Sequence, residues 1–261
     1  MSESRKIGYA ELAVTTNFSF LHGASHPQEM VATADELKLA AIGIADRNSF
    51  AGVVRAYDEW KKRKSIKLIV GTRLVTVDGF EVLAYPTDRQ AYGRLCRLLT
   101  EGNLKAKKGE CHLAFEEILA ANEGQMFIVL PPVTLFSDAK SLHTFPGRGA
   151  ARSVAEWCAA EPGPSETPSL RRSRISGASL RAAPHPGNGT IETTFTERLS
   201  ALARQAPGRT FLAGVHYHRG DEPRRLGLLA EIGERLNAPL VAINDVSYHA
   251  PERRPLADVL T

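Results

Sequence analysis

Between residues 7 and 132, short runs of aliphatic residues take turns with segments whose apolar residues recur at helical spacing. The runs are 9–15, 41–45, 67–70, 80–85 and 126–130. They are rich in Val, Ile and Leu and hardly alternate with polar residues, which is how strands buried on both faces read. Between them, Pro27 suits the first turn of a helix, and Met30, Ala34, Leu37 and Ala41 follow on one face. Val53, Val54, Tyr57 and Trp60 form a second stripe; Tyr92, Leu95, Cys96 and Leu99 form a third, with Asp88 as its cap. Two further runs, 211–215 and 240–244, bring the count to six or seven strands, each expected to be followed by a helix. That pattern predicts an α/β fold: a parallel sheet covered on both faces or closed into a barrel. Functional residues of such folds sit at the C-terminal ends of the strands.

The alternation breaks at Ser137. Residues 137–193 hold six of the 15 prolines, eight serines, six glycines and only eight large apolar residues. So few apolar side chains cannot bury a core, and structureless loops of this length are uncommon inside compact domains. The segment reads as a disordered insertion, or as a stretch of GC-rich gene translated out of frame. Order returns at Thr194, which is spaced from Glu197 as in a capping box. The predicted organisation is therefore 1–136, the first part of the fold; 137–193, the insertion or aberrant segment; and 194–261, the last part.

With 43% apolar and 24% charged residues, the chain is neither collagen-like nor wholly disordered. A net charge of +4 hints at nucleic acid, but its distribution weakens the hint. The insertion carries seven Lys and Arg against five Asp and Glu, and the rest of the chain 26 against 24. The bulk of the chain is nearly balanced and shows no strong electrostatic footprint for DNA. Three cysteines do not make a disulfide framework and fit a reduced, cytoplasmic compartment. No apolar run approaches the roughly 18 residues that span a bilayer, and residues 1–6 lead into no signal-type block. No membrane partner is expected.

The strand ends carry the informative residues. They are Glu11-Leu12-Ala13-Val14-Thr15-Thr16-Asn17-Phe18-Ser19, Asp46-Arg47-Asn48-Ser49, Gly71-Thr72-Arg73 and Asn244-Asp245-Val246-Ser247-Tyr248-His249. In this order, and with Phe20-Leu21-His22-Gly23-Ala24-Ser25-His26-Pro27, Tyr85-Pro86-Thr87-Asp88-Arg89 and Lys108-Gly109-Glu110-Cys111-His112-Leu113, they resemble the PHP (polymerase and histidinol phosphatase) domain. The likeness is nearest to the N-terminal region of bacterial polymerase III alpha subunits, in their error-prone branch. It covers nearly all of 7–132 and 194–261, and residues 137–193 have no counterpart in it.

The resemblance implies a distorted seven-stranded β/α barrel of TIM-like form. In active members a cluster of two or three metals, zinc or manganese by ligand type, is held at the strand C-termini and activates water against a phosphate ester. The family's His-x-His corresponds to Ala13 and Thr15, its Asp-His to Asp46-Arg47, its Glu to Arg73, and its Asp-x-His to Asp245-Val246-Ser247. A guanidinium is always charged and cannot bind a metal. The two arginines are expected to replace the metals' charge by pairing with Asp46, Asp245 or Glu11. No catalytic residue and no cofactor is therefore expected, zinc or manganese being the alternative.

Other polar residues have plainer readings. Asp46 and Asp245 suit turn or helix caps. His112 is a weak ligand candidate, more simply a loop residue. His22 and His26 suit the start of a helix, and His216-x-His218 falls outside the family's ligand blocks. Lys61-Lys62-Arg63-Lys64 complements a helix C-terminus, and Lys105, Lys107 and Lys108 read as a solvated face. No aromatic residue interleaves with either cluster, so no single-strand stacking platform is expected.

By resemblance the chain is expected to be the structural front domain of an error-prone DNA polymerase that acts in replication and in damage-induced translesion synthesis and repair. By the same resemblance it is expected to stop where the family continues into the polymerase region. Its expected partners are the polymerase core and other replication or mutagenesis proteins, with DNA reached only through the parent polymerase. The alternative is a metal-dependent phosphoesterase or 3′–5′ exonuclease of the same family.

Overall fold

A computed structural model describes residues 8–135, 188–217, 220 and 222–260. Most of the expected insertion, His218 and Asp221 lie outside the described residues. All seven expected strands are present: β1 (Ala10–Val14), β2 (Ala41–Arg47), β3 (Lys67–Val75), β4 (Glu81–Pro86), β5 (Gln125–Leu130), β6 (Thr210–Val215) and β7 (Leu240–Ile243). They form one sheet in sequence order. Its outer strands meet, because Thr15 N–H donates to the Val246 carbonyl at 2.9 Å and Val246 N–H to the Ala13 carbonyl at 2.8 Å. The result is a nearly closed seven-stranded α/β barrel.

The sheet is not wholly parallel. β4 runs antiparallel to both β3 and β5, while the other neighbours are parallel. No helix separates β3 from β4. The five residues Thr76-Val77-Asp78-Gly79-Phe80 turn the chain directly, with Gly79 at φ +84° and Thr76 N–H bonded to the Phe80 carbonyl at 3.0 Å. A connection that short joins only antiparallel strands. β2 and β3 also run further than expected, taking Arg47 and Arg73 into strands rather than loops. Gly71 permits this extension, since a Cβ there would lie 2.3 Å from the Tyr85 ring.

The strands divide their side chains by period two. In β4, Leu83 and Tyr85 face the barrel interior with Ala13, Ala45, Ile128 and Val215. Val82 and Ala84 face outward onto a layer that includes Leu95, Ile118, Leu199 and Leu229. The helices supplying that layer are α3 (Arg89–Lys105), α4 (Phe115–Ala120), α5 (Asn188–Gln205) and α6 (Glu222–Arg235). A third cluster packs α1 (Pro27–Glu36) and α2 (Val53–Arg63) on β1 and β2 through Met30, Val31, Ile42, Ile44 and Ala56. Burying each such Leu, Ile or Met contributes about 1.5–3 kcal/mol, so this patterning decides register. A short helix, α7 (Arg254–Leu260), ends the described chain.

Two caps match the sequence. Asp88 accepts from Ala91 N–H at 2.8 Å, and His26 precedes Pro27 at the start of α1, its N–H donating to Glu29 at 2.8 Å. The Thr194–Glu197 capping box is not one. Both residues lie inside α5, which begins at Asn188 because Ile191 extends the Phe195–Leu199–Leu202 stripe against the outer layer. In α2 the expected stripe is split: Val53 and Trp60 pack inward, while Val54 and Tyr57 are exposed.

Candidate functional site

The strands' C-terminal ends gather most of the residues that the sequence singled out. Thr15, Arg47, Arg73, Asp245 and Ser247, together with His22, line one cavity of about 190 Å³ at the barrel mouth. Ala13 stands just below, fully buried in the barrel interior. Asp46 is also fully buried but points away from this cavity. His112 lies apart, on the loop between α3 and α4, half-exposed and 3.4 Å from Glu110.

Strand register explains the arrangement. Arg47 and Arg73 are paired neighbours on parallel strands β2 and β3. Leu83 pairs with Arg73 across the β3–β4 hairpin, which sets Glu81 on the same face, one diagonal step away. Glu81 therefore receives both guanidiniums: Arg47 Nη1 at 3.1 Å and Arg73 Nη1 at 3.4 Å. Arg73 Nη2 also donates to Asp245 Oδ1, which lies beyond β7 on a left-handed residue at φ +52°. Two cations thus meet two carboxylates. The Arg73 side chain is only 12% exposed. Burial alone disfavours its charge, but Asp245 and then Glu81 outweigh that and hold Arg73 above the ordinary arginine value. His22 is exposed as a residue, yet partial burial of its ring and then the Arg47 charge push it below the ordinary histidine value. That places His22 at the barrel mouth rather than at the helix start expected for it.

The expected pairing of the arginines is thus met at Asp245, but not at Asp46 or Glu11. Asp46 accepts from Thr16 N–H at 2.8 Å, Thr16 Oγ1 at 2.9 Å and Ser19 Oγ at 2.7 Å. Ser19 Oγ in turn accepts from Arg47 N–H at 2.9 Å. Asp46 thereby anchors the loop behind β1, and a backbone hydrogen bond from Gly52, the residue that opens α2, also ties it to the turn that follows, as expected. Burial raises its carboxyl above the usual range despite these donors. Gly52 makes room for it, since a Cβ there would lie 2.3 Å from Asp46 Oδ2. Glu11 serves the barrel seam, accepting from Ala13 N–H at 2.9 Å, Tyr9 OH at 2.8 Å and Asn244 N–H at 3.1 Å.

This donor set does not fit a metal centre. At the mouth a methyl group, two hydroxyls, two guanidiniums and one imidazole, His22, stand beside two carboxylates, Asp245 and Glu81, and the arginines already occupy both. The buried polar atoms left without a partner there are Thr15 Oγ1 and Arg73 Nε, a hydroxyl and a cationic donor. Among the described residues no three of His, Cys, Asp and Glu cluster as a metal would require. Sequence reasoning missed Glu81, which opens β4 outside any motif. The Asp78-Gly79 pair was its available signal, since a hairpin there sets Glu81 beside Arg73.

A larger cavity of about 720 Å³ adjoins the first through His22 and Arg47. Phe18 and Phe20 line it together with Lys107, Lys108 and His112. The aromatic residues missing around the lysines in sequence are supplied by a loop nearly ninety positions upstream.

Comparison with known proteins agrees with the fold. The chain is 45% identical over 260 residues to an error-prone DNA polymerase of Rhodopseudomonas palustris (strain HaA2), covering 97% of this chain and 21% of that protein. It is 40% identical over 254 residues to an error-prone DNA polymerase of Caulobacter vibrioides, covering 97% of this chain and 18% of that one. The chain thus spans about a fifth of the length of the curated relatives it matches. Among solved structures it is similar in fold to an amidohydrolase from Chromobacterium violaceum, with a TM-score of 0.53, 12% identity, and 92% and 88% of the two chains covered. Within the described residues no helix is long and apolar enough to cross a membrane. The PHP domain family matches residues 11–157, which is more than half of the chain and reaches into the segment set apart by composition. The chain belongs to the PHP domain family.

Proposed function

We propose that this barrel is the non-catalytic PHP domain of an error-prone DNA polymerase, and that it supports the polymerase core during replication and during synthesis past damaged bases. The observation carrying this reading is the Arg73–Asp245 pair with its Arg47–Glu81 neighbour. By the resemblance Arg47, Arg73 and Asp245 correspond to positions that hold the metals in active members, and here they and Glu81 already satisfy one another's charge. A guanidinium neither ionises a water nor accepts its proton, so the cluster lacks a nucleophile generator. What it retains is a bridge across the barrel mouth. The polymerase relatives support the wider setting, and a cytoplasmic location and association with other replication or mutagenesis proteins follow from that setting.

Two experiments test the reading. The purified chain, supplied with manganese or zinc, is assayed on a chromogenic phosphodiester and on the 3′ end of a single-stranded oligonucleotide. No turnover above the uncatalysed rate is expected; turnover abolished by chelation would overturn the proposal in favour of a phosphoesterase. Affinity capture of the chain from its native cells should recover polymerase or mutagenesis proteins, and capture without any of them would count against the polymerase setting.

A further inference from the structure

From the larger cavity at the barrel mouth, we infer that this chain binds single-stranded DNA directly, with Phe20 as a base-stacking platform and Lys107 and Lys108 as phosphate contacts. The inference rests on the polymerase setting proposed above for the choice of DNA, and on the cavity itself for the mode of binding. It departs from the expectation that DNA reaches this chain only through the parent polymerase.

Phe20 is 82% exposed, which is unusual for a ring on a well-fastened loop. The loop is held from beneath: Ser19 bonds to buried Asp46, and His22 N–H donates to the Ser19 carbonyl at 2.9 Å. The backbone beneath the ring is thus fixed, so the loop presents Phe20 to solvent at one place on the cavity wall, a positioned stacking surface. Phe18, half-buried beside it, has the Arg55 guanidinium 5.3 Å from its ring centre. Lys107 and Lys108 line the same cavity and are exposed. Unlike Lys105, which pairs with Glu117, neither has a carboxylate partner among the described residues. With Arg47 already paired to Glu81, the cavity wall carries Lys107 and Lys108 against one carboxylate, Glu110, so it favours an anion. Exposed aromatic faces beside unpaired cations are what strand-binding proteins use, because stacking tolerates any base and the cations follow the backbone. A duplex keeps its bases stacked inside and cannot offer one to Phe20.

Fluorescence anisotropy of a fluorescein-labelled oligo(dT) with the full chain tests this, at low and at physiological ionic strength. Binding is expected, weakening as salt rises. Phe20→Ala should weaken it roughly 5- to 100-fold, the loss of one base–aromatic stack, while Phe20→Tyr keeps it. Lys107→Ala and Lys108→Ala should each flatten the slope of log affinity against log salt by about 0.7. Lys61→Ala, in the distant basic cluster of α2, should change nothing. All these side chains are exposed, so the variants fold. Absence of binding at low salt, equal binding by wild type and Phe20→Ala, equal competition by a duplex or by polyglutamate, or a loss with Lys61→Ala matching that with Lys107→Ala would each overturn the inference. Such failures leave the metal content and the phosphodiesterase result untouched, so they are distinguishable from failure of the proposed function.

Discussion

The Arg73 guanidinium donates to the Asp245 carboxylate across the barrel mouth, tying β3 to the turn beyond β7. Both side chains are largely shielded, so removing Arg73 strands the Asp245 charge, and removing Asp245 leaves Arg73 only its longer contact with Glu81. Asp245→Ala and Arg73→Ala should each lower stability by about 1–3 kcal/mol in urea unfolding. The double variant should lose less than the sum of the two, leaving a coupling energy of about 1 kcal/mol. Additive losses would mean that the pair is not formed in solution.

Asp46 has a different task, holding the loop behind β1. Asp46→Ala leaves Thr16 N–H, Thr16 Oγ1 and Ser19 Oγ buried without their acceptor, and should cost about 3 kcal/mol. Burial raises the Asp46 carboxyl above its ordinary value of 3.8. The folded state therefore holds its proton more tightly than the unfolded chain, and stability falls as pH rises from 3.8 through the folded value. Asp46→Asn should consequently gain on wild type as pH increases from acid to neutral, which denaturation at several pH values would follow.

The opposite sign holds at Asp78 on the β3–β4 turn. The Arg198 guanidinium lowers its carboxyl from 3.8 to about 2, with Arg198 Nη1 at 2.9 Å from Asp78 Oδ1. This contribution is complete above 3.8 and is lost as pH falls through about 2. Because Asp78 is half-exposed, the effect is modest. Arg198→Ala should flatten the acid limb of the stability curve in that window and leave its neutral slope unchanged.

Much of this arrangement was legible in the sequence, and the failures have physical causes. Strand positions follow from runs of Val, Ile and Leu that need burial on both faces, and Asp88 and Pro27 mark helix starts by their own chemistry. The antiparallel β4 was hidden because Thr76-Val77-Asp78-Gly79-Phe80 was passed over as a link to a helix, although Asp-Gly favours a hairpin. That one turn also hid Glu81. The strand ends were legible as the place to look, and Thr15, Arg47, Arg73, Asp245 and Ser247 stand out there through the family resemblance. The pairing of Phe20 with Lys107 and Lys108 depends on closure of the barrel, which no local spacing reports.

Gly71 and Tyr85 test the barrel's interior packing. Tyr85 OH donates to the Leu12 carbonyl across the interior, and burial raises its hydroxyl far above the ordinary tyrosine value. Tyr85→Phe should cost about 1 kcal/mol. Gly71→Ala drives a methyl into the Tyr85 ring and should cost about 1–3 kcal/mol. Its penalty should shrink in a Tyr85→Leu background, measured by thermal unfolding.

Metal content tests the central claim most directly. The chain is produced in medium supplemented with zinc and manganese, purified without chelator, and its metal-to-protein ratio is determined by plasma mass spectrometry. If Arg47 and Arg73 stand in for the metal charge, the ratio will lie far below one and thermal stability will not change on adding chelator. One or more equivalents of bound zinc or manganese, with stability lost on chelation, would contradict it.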